Sequence, residues 1–283
     1  MKDCILSVGN IQIFGIRDGY FHLDGGAMFG VVPKSMWSKT CPADEENLIK
    51  LGLNCLLIRT PEALILVETG VGSYLKKNFY QYYGVERNPE LSAELIRLGT
   101  SPDDIDFVVN THLHFDHCGG NIKAEHDGTF VPAFPNALYI IQRCEWENAV
   151  NPCSRDRVSY VPHTFLPLQQ AGCLQLVEGE NEIHPGITVI PAAGHTAGHQ
   201  CVKVSSEGET FLFLGDMVPS AAHTALPYIM SYDLFPTETY ENKERFLMQA
   251  VSGGWIVAFS HEVDNFFGRI RLSGKRFVFE SLK

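Results

Sequence analysis

Apolar residues along the chain come in short bursts, most of them the length of a strand. Ile5-Leu6-Ser7-Val8 and Ile11-Gln12-Ile13-Phe14-Gly15-Ile16 flank a Gly9-Asn10 turn and predict a hairpin over residues 3–18. A second hairpin is predicted from Asn54–Ile58 and Ala63–Val67, turned at Thr60-Pro61-Glu62 and ending on Glu68-Thr69-Gly70. Residues 19–50 show no period, and their Tyr20, Phe21, Met28, Phe29, Met36 and Trp37 read as exposed on an N-terminal extension loop. Residues 73–87, rich in Tyr and Lys, read as a mobile insertion. Leu91–Leu98 has helical spacing, with Gly99 placed to cap it. The apolar, β-branched stretch 105–110 reads as a buried strand.

The second half repeats this style. Strands are predicted at Ala137–Ile141, Leu174–Val177, Ile187–Pro191, Cys201–Val204, Thr210–Leu214 and Trp255–Phe259, with two more at the C-terminus. Helices are predicted at Arg143–Val150 and Thr237–Val251, and residues 151–170, with three prolines, read as loop. No repeat, linker or low-complexity segment breaks the pattern. The expectation is an α/β fold, two β-sheets packed face to face with helices outside, in one domain spanning 1–283.

Composition narrows the function. The chain of 283 residues is 45% apolar, enough for a sizeable core. No apolar run reaches membrane-spanning length, so no membrane partner is expected. The N-terminus enters a strand pattern directly, without signal-peptide architecture, which predicts a cytoplasmic protein. A net charge of −11 without a Lys/Arg cluster argues against nucleic acid as partner. A phosphodiester substrate stays open, because a metal can supply positive charge locally. Eight cysteines at irregular spacing, with no Cys-x-x-Cys pair, read as reduced and mostly buried thiols.

The chemistry is concentrated in Thr111-His112-Leu113-His114-Phe115-Asp116-His117, which is followed by Gly119-Gly120. Three imidazoles and a carboxylate within six positions each need a partner if buried, and a divalent metal satisfies all of them. The cluster leaves the C-terminal end of a predicted strand, where sheet proteins tend to carry function. Three later strands end the same way. Ile187–Pro191 runs to His195 and His199, Thr210–Leu214 to Asp216, and Trp255–Phe259 to His261. Cys118 reads as a small filler beside the cluster.

His-x-His-x-Asp-His, Gly-His-Thr-x-Gly-His, Gly-Asp after a strand and a late His together resemble the metallo-β-lactamase superfamily over residues 50–265. The resemblance implies an αββα sandwich of two mixed β-sheets with flanking helices and a dinuclear metal site on one edge. Carried over by residue, His112, His114 and His195 would hold one metal, Asp116, His117 and His261 the other, and Asp216 would bridge them. Two divalent ions are implied, zinc first, with iron, manganese or cobalt as alternatives. His199 matches a position that is normally structural. Glu68 departs from the family, which commonly has Asp there, and its extra methylene re-aims the hydrogen bond to the ligands.

Two metals that share one water lower its pKa toward neutrality, and the hydroxide so formed is the implied nucleophile. Asp116 would relay a proton to the leaving group. Residues 24–37 and 216–234 resemble the N-acyl-homoserine lactonase branch, which implies a lactone ester as the small-molecule substrate and a homodimer contacting through 19–50 and 73–87. Methyl-parathion-hydrolase-like phosphotriesterases share much of this pattern, and thioester hydrolysis is a third option. Met28, Phe29 and Trp37 either wall an acyl pocket or pack the core. His223 either faces the site as a catalytic hydrogen-bond donor or is structural; Tyr228 and Tyr232 are further candidates for the first role.

Overall fold

The computed structural model describes residues 4–282. Its strands are β1 (Cys4–Val8), β2 (Ile11–Asp24), β3 (Leu48–Arg59), β4 (Leu64–Val67), β5 (Phe107–Val109), β6 (Ile122–Ala124), β7 (Phe130–Pro132), β8 (Leu138–Gln142), β9 (Leu174–Val177), β10 (Asn181–His184), β11 (Ile187–Pro191), β12 (Gln200–Ser206), β13 (Glu209–Phe213), β14 (Ile256–Ala258), β15 (Phe267–Ser273) and β16 (Arg276–Ser281). The helices are α1 (Gly25–Phe29), α2 (Lys34–Trp37), α3 (Lys77–Tyr82), α4 (Leu91–Arg97), α5 (Phe115–Cys118), α6 (Arg143–Val150), α7 (Leu166–Gln170) and α8 (Pro236–Gly253). One sheet has the order β1-β2-β3-β4-β5-β8-β9 and the other β10-β11-β12-β13-β14-β15-β16; β6 and β7 form a separate small hairpin. Both large sheets are mixed, with β4, β5, β8 and β9 parallel in the first and β13 and β14 parallel in the second.

The layers follow from a period of two. Ile13, Leu56, Ile58, Ile65, Val67 and Val109 point inward to meet Val189, Val202, Phe211 and Phe213 of the facing sheet. Their neighbours Phe14, Leu57, Leu66 and Val108 point outward and are covered by Leu91 and Leu95 of α4, Trp146 of α6 and Leu168 of α7. On the far side Leu212 and Val257 pack under Phe246, Leu247 and Ala250 of α8. Each central strand is therefore buried on both faces, which is why these segments read as unbroken apolar runs. The result is the expected αββα sandwich. No described helix is long and apolar enough to cross a membrane.

Residues 19–50 are a correction. β2 does not stop at Gly19 but bulges between Arg17 and Tyr20, then pairs with β3 as far as Asp24–Leu48. Gly19 makes the bulge possible: its φ is +97°, and a Cβ there would stand 2.0 Å from the Glu86 carbonyl. Phe21, Met28, Phe29 and Trp37 are buried together in a fourth cluster, whereas Met36 is exposed. Residues 73–87 contain α3. Glu86 exchanges both backbone hydrogen bonds with Tyr20 (2.9 and 2.8 Å), and the Tyr80 hydroxyl donates to the Gly72 carbonyl, so this segment is docked on the β2 edge. Residues 151–170, expected as loop, include α7; Pro167 lies in its first turn, where the missing N–H costs nothing. The sequence reading also missed β6, β7 and β10, all short and only partly buried.

Cys41, Cys55, Cys118, Cys144, Cys153, Cys173 and Cys201 are unbridged; Cys55, Cys118 and Cys201 are buried, and Cys144 and Cys153 are exposed. Cys118 packs as filler, its thiol on the Leu113 carbonyl and the Thr164 hydroxyl. Arg17 is buried and joins the sheets at the site edge. Its guanidinium donates to Asn54 Oδ1 at 2.7 Å and to the Val263 and Glu262 carbonyls at 2.7 and 3.0 Å, fixing the chain just after His261.

Candidate metal centre

β4, β5, β11, β13 and β14 all run toward one edge of the sandwich, and the segments that follow them carry Glu68, the His112–His117 cluster, His195, Asp216 and His261. The structure brings all seven predicted donors together. Three groups form, His112–His114–His195, His112–His117–Asp216 and Asp116–His117–His261, the ligand atoms within each lying within 4.8 Å of one another. Asp216 touches both ends of the cluster, with Oδ2 3.5 Å from His195 Nε2 and Oδ1 3.4 and 3.1 Å from His117 and His261 Nε2. Asp116 Oδ2 stands 3.5 Å from both His117 Nε2 and His261 Nε2.

The outward-facing nitrogens of His195, His261 and His112 are held by protein, whereas His114 Nε2 is buried without a partner. His195 Nδ1 pairs with Asp233 Oδ1 at 2.9 Å, His261 Nδ1 with the Gly52 carbonyl at 2.8 Å, and His112 Nδ1 with the Thr111 hydroxyl at 3.0 Å. His117 Nδ1 lies 3.4 Å from Glu68 Oε1, which also accepts the Thr111 backbone N–H at 3.0 Å. Glu68 thus lies beside the His117 ring, in backbone of positive φ (+63°). An acceptor on one nitrogen, as Asp233 on His195 and the Gly52 carbonyl on His261, fixes the tautomer and leaves the other nitrogen with a lone pair.

That arrangement tests the fit to a metal. His112 Nε2 and His117 Nε2 are buried with no hydrogen-bond partner. His114 Nδ1 and His195 Nε2 face each other at 3.1 Å although Asp233 already takes the outer face of His195. Unpartnered buried nitrogens such as His112 Nε2 and His117 Nε2 cost free energy that a cation removes. The electrostatics divide the histidines into two pairs. Burial, with the neighbouring imidazoles, pushes His112 and His114 well below the usual histidine range, so they stay neutral. Burial alone would lower His117 and His195 too, but nearby carboxylates, Asp216 and Asp116 for His117 and Asp233 and Asp216 for His195, raise both. Burial works against an ionised Asp216, yet His261 and His117 beside it hold its carboxyl well below the carboxylate range. The His/Asp cluster fits a metal site.

Two other histidines are buried. His199 Nε2 accepts the Asp216 backbone N–H at 3.0 Å and its Nδ1 faces the Ala192 carbonyl at 3.1 Å; burial lowers its pKa to about 3. His223, read either as a substrate contact or as structural, also has protein partners on both ring nitrogens. It is buried and stacked on Phe29, with Nδ1 on the Ser220 hydroxyl at 2.8 Å and Nε2 on the Met28 carbonyl at 2.9 Å. Both of its ring nitrogens are thus engaged by protein groups in this structure. Tyr228 packs edge-on against Phe29, away from the cavity lining, whereas Tyr232 is part of that lining.

Above the cluster lies a cavity of about 270 Å³. Its floor is His114, Asp116, His195, Asp216 and His261, and its walls are mostly apolar: Phe21, Leu23, Met28, Phe115, Val158 and Met230. Of the three residues read as possible pocket walls, only Met28 lines it; Phe29 and Trp37 stack on each other at 5.0 Å in the core. Tyr83 and Tyr232 add hydroxyls at the walls. The sequence reading gave no role to Asp233, Glu145 or Tyr160. A lone acid after a Tyr, or early in a helix, carries no signal until the fold shows what it faces.

Comparison with known proteins places this geometry. The metallo-beta-lactamase superfamily profile matches residues 50–261. An N-acyl homoserine lactonase of Bacillus cereus is 32% identical over 178 residues, a match covering 59% of this chain and 64% of the relative, so it spans less than two thirds of that protein's length. The crystal structure of a probable metal-dependent hydrolase from Staphylococcus aureus superposes with a TM-score of 0.89 at 29% identity, over 98% of this chain and all of that one. A dizinc quorum-quenching lactonase in complex with its product shares the fold at a TM-score of 0.83 and 21% identity, over 99% of this chain and 97% of that one. The chain belongs to the metallo-beta-lactamase superfamily.

Proposed function

We propose that this chain is a dinuclear metal-dependent hydrolase that opens lactone esters, with N-acyl-homoserine lactones as the first substrates to test. The observation that carries this reading is Asp216, whose two oxygens reach histidines of two donor groups at the floor of a largely apolar cavity. His112, His114 and His195 would hold one divalent ion and Asp116, His117 and His261 the other, with Asp216 shared. The mixed imidazole and carboxylate donors suit zinc, with iron, manganese or cobalt also accommodated. When bound, such ions acidify water and polarise an ester carbonyl.

The chain's own groups supply the rest. Asp233, Glu68 and the Gly52 carbonyl orient the imidazoles. Asp116 lines the cavity and is placed to carry a proton to the alkoxide that leaves when the ring opens. Phe21, Met28, Phe115 and Met230 exclude water and would take the acyl chain. The lactonase name of the Bacillus cereus relative supports this substrate class. A panel of acyl-homoserine lactones, aryl phosphotriesters and thioesters on metal-quantified protein tests it. The highest kcat/KM is expected on lactones; a clear preference for phosphotriesters or thioesters replaces the reading with one of those activities.

Cavity length sets a further expectation. Met230→Trp fills space beside the floor, so long acyl chains should lose roughly tenfold in kcat/KM relative to short ones, since each methylene mismatch is worth 1–3 kcal/mol. Equal losses for butanoyl and decanoyl substrates would place the acyl chain elsewhere.

The same reading takes the chain as one domain, because both sheets share a single core. It takes the protein as a cytoplasmic homodimer. Unbridged cysteines support a reducing compartment, and exposed Val31, Met36 and Tyr82 support contact through 19–50 and 73–87. Light scattering on a size-exclusion peak should give twice the chain mass; a monomer at micromolar concentration rejects the dimer.

A further inference from the structure

Glu145 lies on α6, behind the metal centre and outside the cavity lining, and is fully buried. Its Oε1 accepts the Leu113 backbone N–H at 2.9 Å and the Tyr160 hydroxyl at 3.0 Å, and its Oε2 accepts the Thr196 hydroxyl at 2.6 Å. Leu113 sits between His112 and His114, and Thr196 follows His195. The Tyr160 ring packs on the His114 ring at a centroid distance of 4.8 Å. The backbone is also pressed close: a Cβ on Gly198 would stand 2.1 Å from Glu145 N. One carboxylate therefore reaches every segment that carries the three-histidine group, and no hydrogen bond it makes reaches Asp116, His117 or His261. Glu68, 3.4 Å from His117 Nδ1, supports the other half and also accepts the Thr111 N–H beside His112.

We propose that Glu145 is a positioning residue that sets the three-histidine half of the centre independently of the other half. This rests on the two-metal reading above. The chemical reason is that a carboxylate only accepts, and all three of its partners donate. Alanine would leave the Leu113 N–H and the Tyr160 hydroxyl buried without an acceptor and free the peptides around His112, His114 and His195 to shift. Glutamine keeps one oxygen for Leu113 and Tyr160, and the Thr196 hydroxyl can turn to accept from the new amide. The two substitutions thus separate hydrogen-bond geometry from charge.

The test is zinc occupancy against buffered free zinc for wild type, Glu145→Ala and Glu145→Gln, with metal-free thermal unfolding run alongside. Wild type should bind about two zinc ions per chain, and Glu145→Ala should keep one site at wild-type affinity while the other weakens about 10–100-fold, the effect of losing a supporting partner. Glu145→Gln should restore both sites to within a few-fold. If Glu145→Ala does not fold, Thr196→Val carries the test, with weakening expected at the same single site. Wild-type affinity at both sites in Glu145→Ala, equal weakening of both, or a glutamine variant as weak as alanine would each overturn the proposal. A wild-type chain that binds no zinc overturns the two-metal reading itself, and this inference with it.

Discussion

Asp216→Asn is expected to lower kcat/KM for lactone opening about 10³-fold, the upper range for losing one preorganised charge interaction in a water-excluded site. The asparagine is nearly isosteric, so the fold should persist. It retains one oxygen, and Ser260, which donates to Asp216 Oδ1 at 2.8 Å, can hold that oxygen toward His117 and His261. The atom facing His195 then becomes an amide nitrogen, and the negative charge shared by the two donor groups is gone. Metal content by elemental analysis should fall toward one ion per chain. A variant that keeps two ions and full activity would show that Asp216 does not bridge them.

Asp116→Asn is expected to cost about 10²–10⁴-fold on lactones, the range for general acid–base catalysis. The asparagine carbonyl still offers an oxygen near His117 and His261, 3.5 Å away in the wild type, but it cannot pass a proton. The diagnostic is the leaving group. An alkoxide needs that proton, whereas an activated aryl oxide leaves without it, so the loss should shrink by at least tenfold on an aryl ester. Equal losses on both substrates would assign Asp116 to ligation alone. The comparison is internal to each variant, so a modest change in metal occupancy cancels from the ratio.

Much of the site was legible because its donors sit at strand ends. A strand buried on both faces shows as an apolar run, and whatever His or Asp follows must emerge at the sheet edge. That logic reached His112, His114, Asp116, His117, His195, Asp216 and His261 and placed the sheets around them. It failed where structure depends on a distant partner. Phe21 and Trp37 looked exposed because no period marked their segment, yet Gly19 bends β2 so that the strand continues and buries them. His223 could be read either as a substrate contact or as structural; only the fold shows Ser220 and the Met28 carbonyl taking both its nitrogens. Glu145 and Asp233 were invisible for the same reason, since Glu145 bonds Leu113 and Thr196, 32 and 51 positions away, and Asp233 bonds His195, 38 positions away.

The most direct test of the account is a zinc titration of chelator-stripped protein with lactone hydrolysis as the readout. The account predicts no hydrolysis above background without metal and recovery that saturates near two equivalents per chain. Full lactonase activity in metal-free protein would contradict it.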